Sequence, residues 1–364
     1  MRYKKVRWTI CAFSLVVLPL FLQCIGGAWV RIADMALLYV LLALGLNVVV
    51  GYAGLLDLGY VAFYMIGAYS YALLASPHLV ETFDTIQALL PHGMHTPIWI
   101  MIPLAGTLAA CLGALLGGPT LRLRGDYLAV VTLGFGEIIR VLVINLDAPA
   151  NITNGSKGIG SIDPIYVFGL NLGRPIVISG FKVVSVTLYY YLFLILVVVS
   201  AFVCSRIERS RVGRAWMAIR EDEIAAKAMG INTRNMKLLA FAMGATFGGI
   251  SGVMFGAFQG FVSPEAFTLL ESVMIAAMVV LGGIGHLPGV ILGAVLLSAL
   301  PEVLRYVAAP LRDLTDGRLD PAILRQLLIA ASMISMMLIR PRGLWPSYDH
   351  SKNILNSRRQ MPDC

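Results

Sequence analysis

The apolar stretch LLAFAMGATFGGISGVMFGAFQGF runs from Leu238 to Phe261 and contains no charged side chain. It is long enough to cross a bilayer as an α-helix, which needs about 20 apolar residues. Glycine recurs in it at every fourth residue, at Gly244, Gly248, Gly252, Gly256 and Gly260. Residues four apart lie on one face of a helix, and small residues let helices in lipid approach closely. The stretch therefore predicts a membrane-spanning helix with a glycine face that packs against a neighbour.

The rest of the chain has the same apolar character. Of its 364 residues, 58% are hydrophobic and 13% are charged, whereas soluble domains carry about 25% charged residues. Apolar runs predict about ten spans, at residues 8–26, 33–53, 56–75, 98–118, 127–146, 185–204, 238–261, 268–285, 288–308 and 322–340. We therefore predict an all-α polytopic membrane helix bundle over residues 1–346. We expect the polar tail 347–364 to be disordered.

The positive charge of the chain is placed at the ends of apolar runs. The net charge is +8, and segment 205–237 alone holds eight Lys or Arg residues, whereas 77–97 holds none. Lys and Arg are enriched in the cytoplasmic loops of membrane proteins. We therefore predict that 205–237 is cytoplasmic, that 77–97 and 147–182 are external, and that both termini are cytoplasmic. Because the Lys and Arg residues lie at the ends of apolar runs, they indicate the orientation of the spans in the membrane. The positive net charge therefore does not indicate a nucleic-acid partner.

The chain shows no pattern typical of a soluble active site or a metal centre. Its cysteines form no CxxC pair, and we interpret them as packing residues: Cys11, Cys24, Cys111, Cys204 and Cys364. The glycine-rich run Gly282–Gly289 lacks the sequence of a phosphate-binding loop, so a tight turn between two spans is the better interpretation. We expect no enzymatic activity and no cofactor in this chain.

Segment 205–237 contains an amphipathic stretch, predicted to be one helix over residues 215–229. Glu223 and Lys227 have the spacing of a stabilising ion pair, and Gly230 followed by Asn232 predicts the end of the helix. From the residues alone, two interpretations remain open. The helix lies in the membrane interface with its charges solvated, or it docks into a groove on a soluble partner.

Several polar residues interrupt the apolar spans. Ionised groups are costly in lipid, so each should face protein or water. The candidate pathway or intramembrane polar residues are Asn47, Asp57, Glu137, Gln259 and Glu271. Structural alternatives exist for each kind: Glu137 can pair with Arg140, Asp57 can cap a half-helix, and Asn47 and Gln259 can form interhelical hydrogen bonds.

The segment Ile224–Gly230 resembles the cytoplasmic coupling segment of ABC importer permeases. That family signature is Glu-Ala-Ala, three further residues and a glycine, and here Ala225, Ala226 and Gly230 match it while Ile224 occupies the Glu position. The resemblance implies an ATPase-coupling role for residues of this segment, namely Arg220, Glu221, Asp222, Glu223, Ala225, Ala226 and Gly230.

Further motifs narrow the resemblance to the larger permease subunit of branched-chain amino-acid ABC importers. They are GLNVVVGYAGLLDLG at 45–59, LRLRGDY at 121–127, TLGFGE at 132–137, TNGSKGI at 153–159, GFVSPE at 260–265 and RPRGL at 340–344. The resemblance implies a permease of about ten helices in the bacterial inner membrane. It also implies a second homologous permease, two cytoplasmic ATPases that bind ATP and Mg, and an external substrate-binding protein.

Two alternatives to this function remain at this stage. Urea and short-chain amide importers use similar permeases, so the substrate is open. A proton-driven secondary transporter would need no ATPase and would use Glu137 or Asp57 as a proton relay.

Overall fold

The structure is a computed structural model that describes residues 14–24, 26–89, 94–120, 125–167, 169–178 and 181–314, together with 326–327, 330–331, 334–335 and 338. The α-helices in chain order are α1 Ser14–Cys24, α2 Gly27–Leu46, α3 Val61–Leu74, α4 His78–Thr82, α5 Asp84–Leu89, α6 Ile98–Thr120, α7 Asp126–Asn145, α8 Ser185–Glu208, α9 Arg211–Glu221, α10 Glu223–Ala228, α11 Thr233–Gln259, α12 Leu269–Gly282 and α13 Leu287–Leu314. A π-helix, Asn47–Tyr52, continues α2.

The described residues form a helical bundle with membrane-spanning dimensions. Six helical segments are long and apolar enough to cross a membrane: Gly27–Tyr52, Ile98–Gly118, Tyr127–Asn145, Ser185–Glu208, Thr233–Gln259 and Pro264–Gly282. Ser14–Cys24, Val61–Leu74 and Leu287–Glu302 are shorter apolar helices. The described residues of the predicted last span, 322–340, are helical. The remainder of that span, the N-terminal basic cluster and the tail 347–364 lie outside the described residues.

Helix α11 lies at the centre and packs between α3 and α6, while α2 contacts α11, α8, α12 and α13. The backbones of α3 and α6 both come close to that of α11, because glycines lie where the helices cross. A Cβ added to Gly249 would lie 2.7 Å from the Ala105 carbonyl oxygen of α6, and one added to Gly67 of α3 would overlap the backbone of Gly249. The backbones of three helices therefore meet along α11.

Connecting segments gather at two opposite ends of the bundle, which we name outer and inner after the orientation predicted from the sequence. At the outer end, segment 147–183 forms two antiparallel hairpins, β1 Tyr166–Val167 with β2 Leu170–Asn171 and β3 Ile176–Ile178 with β4 Phe181–Val183, in registers Tyr166↔Asn171 and Ile176↔Val183. Backbone hydrogen bonds join this segment to other outer loops, from Asp163 N to Ala75 O at 2.8 Å and between Ile159 and Val262.

At the inner end lie α9, α10, the π-helix and the turn between α12 and α13. This turn comprises Gly283–His286, between the end of α12 at Gly282 and the start of α13 at Leu287. A Cβ on Gly282 would overlap the carbonyl of Gly289, so the two helices leave the turn in close contact. The glycine-rich run is therefore a tight helix–helix turn, as its sequence predicts.

Candidate functional site

The segment predicted to be one helix over 215–229 is in fact two helices. Helix α9 ends at Glu221, and α10 begins at Glu223. Between them Asp222 is extended (φ −153°, ψ 111°), and its carboxylate accepts hydrogen bonds from Ile224 N at 2.8 Å and Ala225 N at 3.1 Å. Asp is a strong N-cap because its short side chain competes for backbone N–H groups. Asp222 thus divides the segment and starts α10.

Helix α9 is anchored to the beginning of α11. Trp216 is completely buried, and its indole Nε1 donates a hydrogen bond to Met236 O at 2.7 Å. Gly213 makes the turn from α8 possible, because any side chain there would overlap the carbonyl of Ile207. The position of α9 is therefore set by one large buried side chain and one close backbone contact.

The predicted Glu223–Lys227 ion pair is wrong. Glu223 instead pairs with Lys237, with 2.8 Å between Oε2 and Nζ. The Lys237 side chain is only 7% exposed, whereas Lys227 is in contact with solvent. A lysine in a nearly buried position needs a negative partner more than an exposed one does. This pair joins the start of α10 to α11.

Helix α10 ends in a Schellman motif at Gly230. Gly230 has φ +83°, its N–H bonds to Lys227 O at 3.1 Å, and Ile231 N bonds to Ala226 O at 3.1 Å. Glycine suits this left-handed position because it has no Cβ. The stop predicted at Gly230 is therefore present. Asn232 does not belong to that stop; it caps the next helix by accepting from Asn235 N at 3.2 Å.

Two large apolar residues at α10 are exposed: Ile224 is 69% exposed, and Met229 is 84% exposed. Ala225 is also exposed, whereas Ala226 is buried. The residue at the family's Glu position, Ile224, thus faces outward. We call the exposed surface formed by Ile224, Ala225, Met229 and Gly230 the α10 surface.

Arg220 lies at the opposite side of the segment and contacts the bundle. Its Nη1 donates a hydrogen bond to the carbonyl of Gly51 in the π-helix. The side chain of Asn47, also in the π-helix, accepts a hydrogen bond from Gly285 N at 2.9 Å. We call these four residues, Asn47, Gly51, Arg220 and Gly285, the inner junction. The structure thus brings together one predicted pathway residue, one predicted coupling residue and the α12–α13 turn.

Asp57 lies in the buried connection between the π-helix and α3. Its Oδ1 accepts a hydrogen bond from Gly59 N at 2.9 Å, close to the start of α3. The same connection is held by Thr132, whose hydroxyl accepts from Leu58 N at 3.1 Å, and by Ser272, whose hydroxyl donates to Leu58 O at 2.6 Å. This bond closes an Asx turn ahead of α3, whose own N-cap, Tyr60, makes no side-chain cap hydrogen bond, so the capping role predicted for Asp57 is not seen.

The other predicted intramembrane polar residues have partners on the bundle. Glu137 forms an ion pair with Arg140, with 2.7 Å between Oε1 and Nη2. Gln259 accepts a hydrogen bond from Arg31, and Glu271 accepts one from the Tyr39 hydroxyl. The last two contacts join α2 to α11 and to α12. None of these residues meets another member of the predicted set in these contacts, so the set does not form one continuous polar pathway here.

The predicted glycine face of α11 lies against α3 and the inner end of α2. A Cβ on Gly248 would lie 2.9 Å from the Phe63 Cβ, and one on Gly252 would lie 2.5 Å from Ala68 N. Gly244 and Gly256 face Val49 and Ala68. Gly260 does not belong to this face. It ends α11 at φ +67°, and a Cβ there would meet no atom within 4 Å in the described part of the chain.

One buried acidic residue was missed by the sequence analysis. Asp34 on α2 is completely buried, and neither carboxylate oxygen has a hydrogen-bond partner among the described residues. Asp34 is the second residue of the predicted span 33–53. A charged residue at that place is easily interpreted as the boundary between a loop and a span. The signal that would have found it is the continuous apolar run that follows on the same helix.

Among the described residues, no group of three or more His, Cys, Asp or Glu side chains is arranged to hold a metal ion. The described part of the chain is a bundle of apolar helices with an amphipathic two-helix segment at its inner end. Such an architecture is that of a polytopic membrane protein.

Comparison with known proteins identifies the family. The family model described as "Branched-chain amino acid transport system / permease component" matches residues 29–337. The chain therefore belongs to this family, which confirms the resemblance drawn from its motifs. It is a transport permease and not an enzyme.

Individual relatives include two kinds of permease. The high-affinity branched-chain amino acid transport system permease protein LivM is 43% identical in Escherichia coli (strain K12) and 44% in Salmonella typhimurium, over 329 residues that cover 87% of this chain and 70% of each relative. The corresponding LivH protein of Escherichia coli (strain K12) is 25% identical over 317 residues, 84% of this chain and 90% of the relative. No solved structure matches the chain.

Proposed function

We propose that this chain is the membrane-spanning subunit of an ATP-driven importer for branched-chain or related amino acids. It assembles with a second homologous permease, two cytoplasmic ATPases that bind ATP and Mg, and an external substrate-binding protein. It lies in the bacterial inner membrane with about ten spans and both termini in the cytoplasm, as the distribution of Lys and Arg indicates. Labelling of single cysteines at Thr85 and Asn235 by an impermeant reagent from opposite sides tests this orientation.

The domain arrangement that goes with this function has three parts. Residues 1–346 form the transmembrane domain, 205–237 is the coupling segment within it, and 347–364 is a polar tail. Family membership and similarity to both LivM and LivH proteins support the pairing of two related permeases. Escherichia coli (strain K12) has both kinds.

The observation that carries the coupling role is the exposure of the α10 surface. Ile224 and Met229 are large apolar side chains that remain 69% and 84% exposed. An exposed apolar patch on a short amphipathic helix is typical of a helix that docks into a groove on a partner. We therefore assign the α10 surface as the docking site for one ATPase subunit.

Two contacts attach the α9–α10 segment to α11 and can transmit its movement to that helix. The Glu223–Lys237 pair joins α10 to α11, and the Trp216–Met236 hydrogen bond joins α9 to the same helix. A force applied to α10 thus reaches α11, the central helix of the bundle, through two separate contacts. ATP binding and hydrolysis on the partner would in this way change the arrangement of the spans that give access to the substrate.

The proposal is tested with the complete importer reconstituted in proteoliposomes. We expect ATP-dependent uptake of leucine by the wild type. Ile224→Asp and Met229→Asp should reduce ATPase binding by about tenfold or more, because each places a charge in an apolar interface. Leu170→Asp, at an exposed apolar residue of the outer hairpin, is the matched control and should leave ATPase binding unchanged.

Three outcomes would contradict the proposal or part of it. Uptake driven by a proton gradient without ATP would favour a secondary transporter. Transport of urea or a short-chain amide instead of leucine would change the substrate. Normal ATPase binding by both α10 variants would favour a helix that lies in the membrane interface.

A further inference from the structure

The inner end of α2 is not a regular helix. Residues Asn47–Tyr52 form a π-helix in which all six residues are buried. π-Helical turns are rare and occur frequently at functional sites, because they distort the backbone of a helix that would be more stable without them. The π-helix is followed by Gly54 at φ +69°, where the chain turns away from the axis of α2.

The side chain of Arg220 fits between this π-helix and the α12–α13 turn. A Cβ on Gly54 would lie 2.7 Å from Arg220 Cγ, and one on Gly285 would lie 2.9 Å from Arg220 Nη1. Both glycines have positive φ angles, +69° and +82°. Side chains at either position would therefore strain the backbone and occupy the space of the arginine, so the site is shaped for a long side chain from α9.

The guanidinium of Arg220 bonds to the π-helix, and the same π-helix makes a second hydrogen bond to the α12–α13 turn. Arg220 Nη1 donates to Gly51 O. Within the same π-helix, the Asn47 side chain accepts from Gly285 N at 2.9 Å. Two hydrogen bonds thus join three elements that are remote in sequence: α9, the π-helix and the α12–α13 turn. A cavity of about 360 Å³ lies beside Arg220, between α9–α10 and the residues that come after the π-helix.

We propose that the inner junction is the latch through which movement of the cytoplasmic segment enters the membrane bundle. Arg220 is the positioning residue that pulls on the π-helix, and Asn47 passes the displacement to the α12–α13 turn. The inference rests on the proposed function, since it needs a partner that moves α10. It differs from docking because the guanidinium of Arg220, although the residue is exposed, bonds to the bundle at Gly51 O.

The charge of Arg220 suits its position in the inner junction. The guanidinium makes a charge-assisted hydrogen bond, which is stronger than a neutral one. Its planar group keeps its N–H donors in a fixed geometry relative to one another. A shift of α9 into the adjoining cavity therefore displaces the Gly51 carbonyl or breaks the bond. Either event changes the inner end of α2 without unfolding α9, which Trp216 holds separately.

The test uses the complete importer in proteoliposomes and measures leucine uptake and phosphate release together. In Arg220→Gln we expect the importer to assemble with its ATPases and to hydrolyse ATP. The leucine taken up per ATP hydrolysed should fall about tenfold, because the charge-assisted bond to Gly51 is lost. Arg220→Lys keeps a cationic donor and should fall less. Asn47→Leu removes the acceptor for Gly285 N and should also lower this ratio.

Arg214→Gln is the matched control. Arg214 is on the same helix, but its Nη1 donates to Arg209 O within the cytoplasmic segment, so its variant should keep the wild-type ratio. An unchanged ratio in Arg220→Gln, or an equal fall in Arg214→Gln, would overturn the latch. Loss of ATPase binding in Arg220→Gln would also overturn it, since Arg220 would then belong to the docking surface.

If Arg220→Gln fails to fold, Arg220→Lys and Asn47→Leu decide the question. A wild-type ratio in both refutes the latch, and a lowered ratio in both supports it. Failure of the proposed function is seen separately, because the wild-type importer would then show no ATP-dependent leucine uptake.

Discussion

The glycine face of α11 and the inner junction hold the bundle together by different means. At Gly244, Gly248, Gly252 and Gly256 the contact is made without side chains on α11, which leaves no rotatable bond to change. At the inner junction Arg220 donates a hydrogen bond to Gly51 O and Asn47 accepts one from Gly285 N, and such bonds can be exchanged for others. The comparison indicates a bundle that is fixed at its centre and adjustable at its inner end.

The strongest test of the fixed part is Gly252→Leu. A side chain there would overlap Tyr64 O and lie against Ala68 N, both backbone atoms that have no room to move aside. Overpacking in a core costs about 1–3 kcal/mol, and separation of α11 from α3 would add to this. We expect a large loss of assembled, monodisperse protein, measured by size-exclusion chromatography and thermal unfolding in detergent.

Gly260→Asn is the control for that variant. Gly260 shares the four-residue spacing but caps α11 in the left-handed region, which Asn tolerates. Its assembly should resemble the wild type. If Gly252→Leu assembled equally well, the glycine face would lose its role as the fixed part of the molecule.

The α10 surface, on the same cytoplasmic segment as Arg220, is tested by Gly230→Leu. The left-handed conformation costs a side-chain-bearing residue about 1–2 kcal/mol, and a leucine would enlarge the α10 surface where a partner must approach. A Cβ at Gly230 would meet no atom within 4 Å among the residues that the structure describes. We therefore expect normal membrane insertion and folding, with loss of ATP-dependent leucine uptake.

Gly230→Asn separates the two causes, since it relieves much of the strain but keeps a side chain. Its uptake should lie between those of Gly230→Leu and the wild type. Full uptake by a well-expressed Gly230→Leu protein would speak against a coupling role for this part of the segment.

A smaller effect is expected at the ion pair that joins α10 to α11. Glu223→Gln leaves the nearly buried Lys237 without its anionic partner. Loss of a hydrogen bond to a charged group costs about 1–3 kcal/mol, reduced here because Glu223 is partly exposed. We expect a small decrease in the thermal unfolding midpoint. Glu221→Gln, at an exposed acidic residue two positions earlier, should produce no measurable decrease.

The elements of the fold were largely predictable, whereas the contacts between them were not. Apolar runs and glycine breaks are local signals, and they predict helices such as α6 and α11 and the turn at Gly283–His286. The break at Asp222 was also local but was missed, because the amphipathic pattern continues through it. An Asp directly before an acidic, Ala-rich stretch is an N-cap signal that should have divided the helix.

The inner junction could not be found in this way. Arg220 and Gly51 are 169 residues apart, and the bond exists only because α9 and the π-helix meet in the folded bundle. The π-helix itself has no sequence pattern that distinguishes it from the end of an ordinary apolar helix. Lys237 was likewise interpreted as a topology signal, since its burial depends on how α10 folds back onto α11.

The π-helix at the inner end of α2 also determines the rotational phase of the chain beyond Tyr52. Its backbone bonds run to the fifth residue, as from Ala53 N to Val48 O, so it holds one residue more than a regular α-turn. One residue corresponds to about 100° of rotation around a helix axis. Deletion of one residue from 47–52 would therefore turn the connection 53–60 to a different side of α2. The length of this six-residue segment is therefore part of what places Leu58 against Thr132 and Ser272.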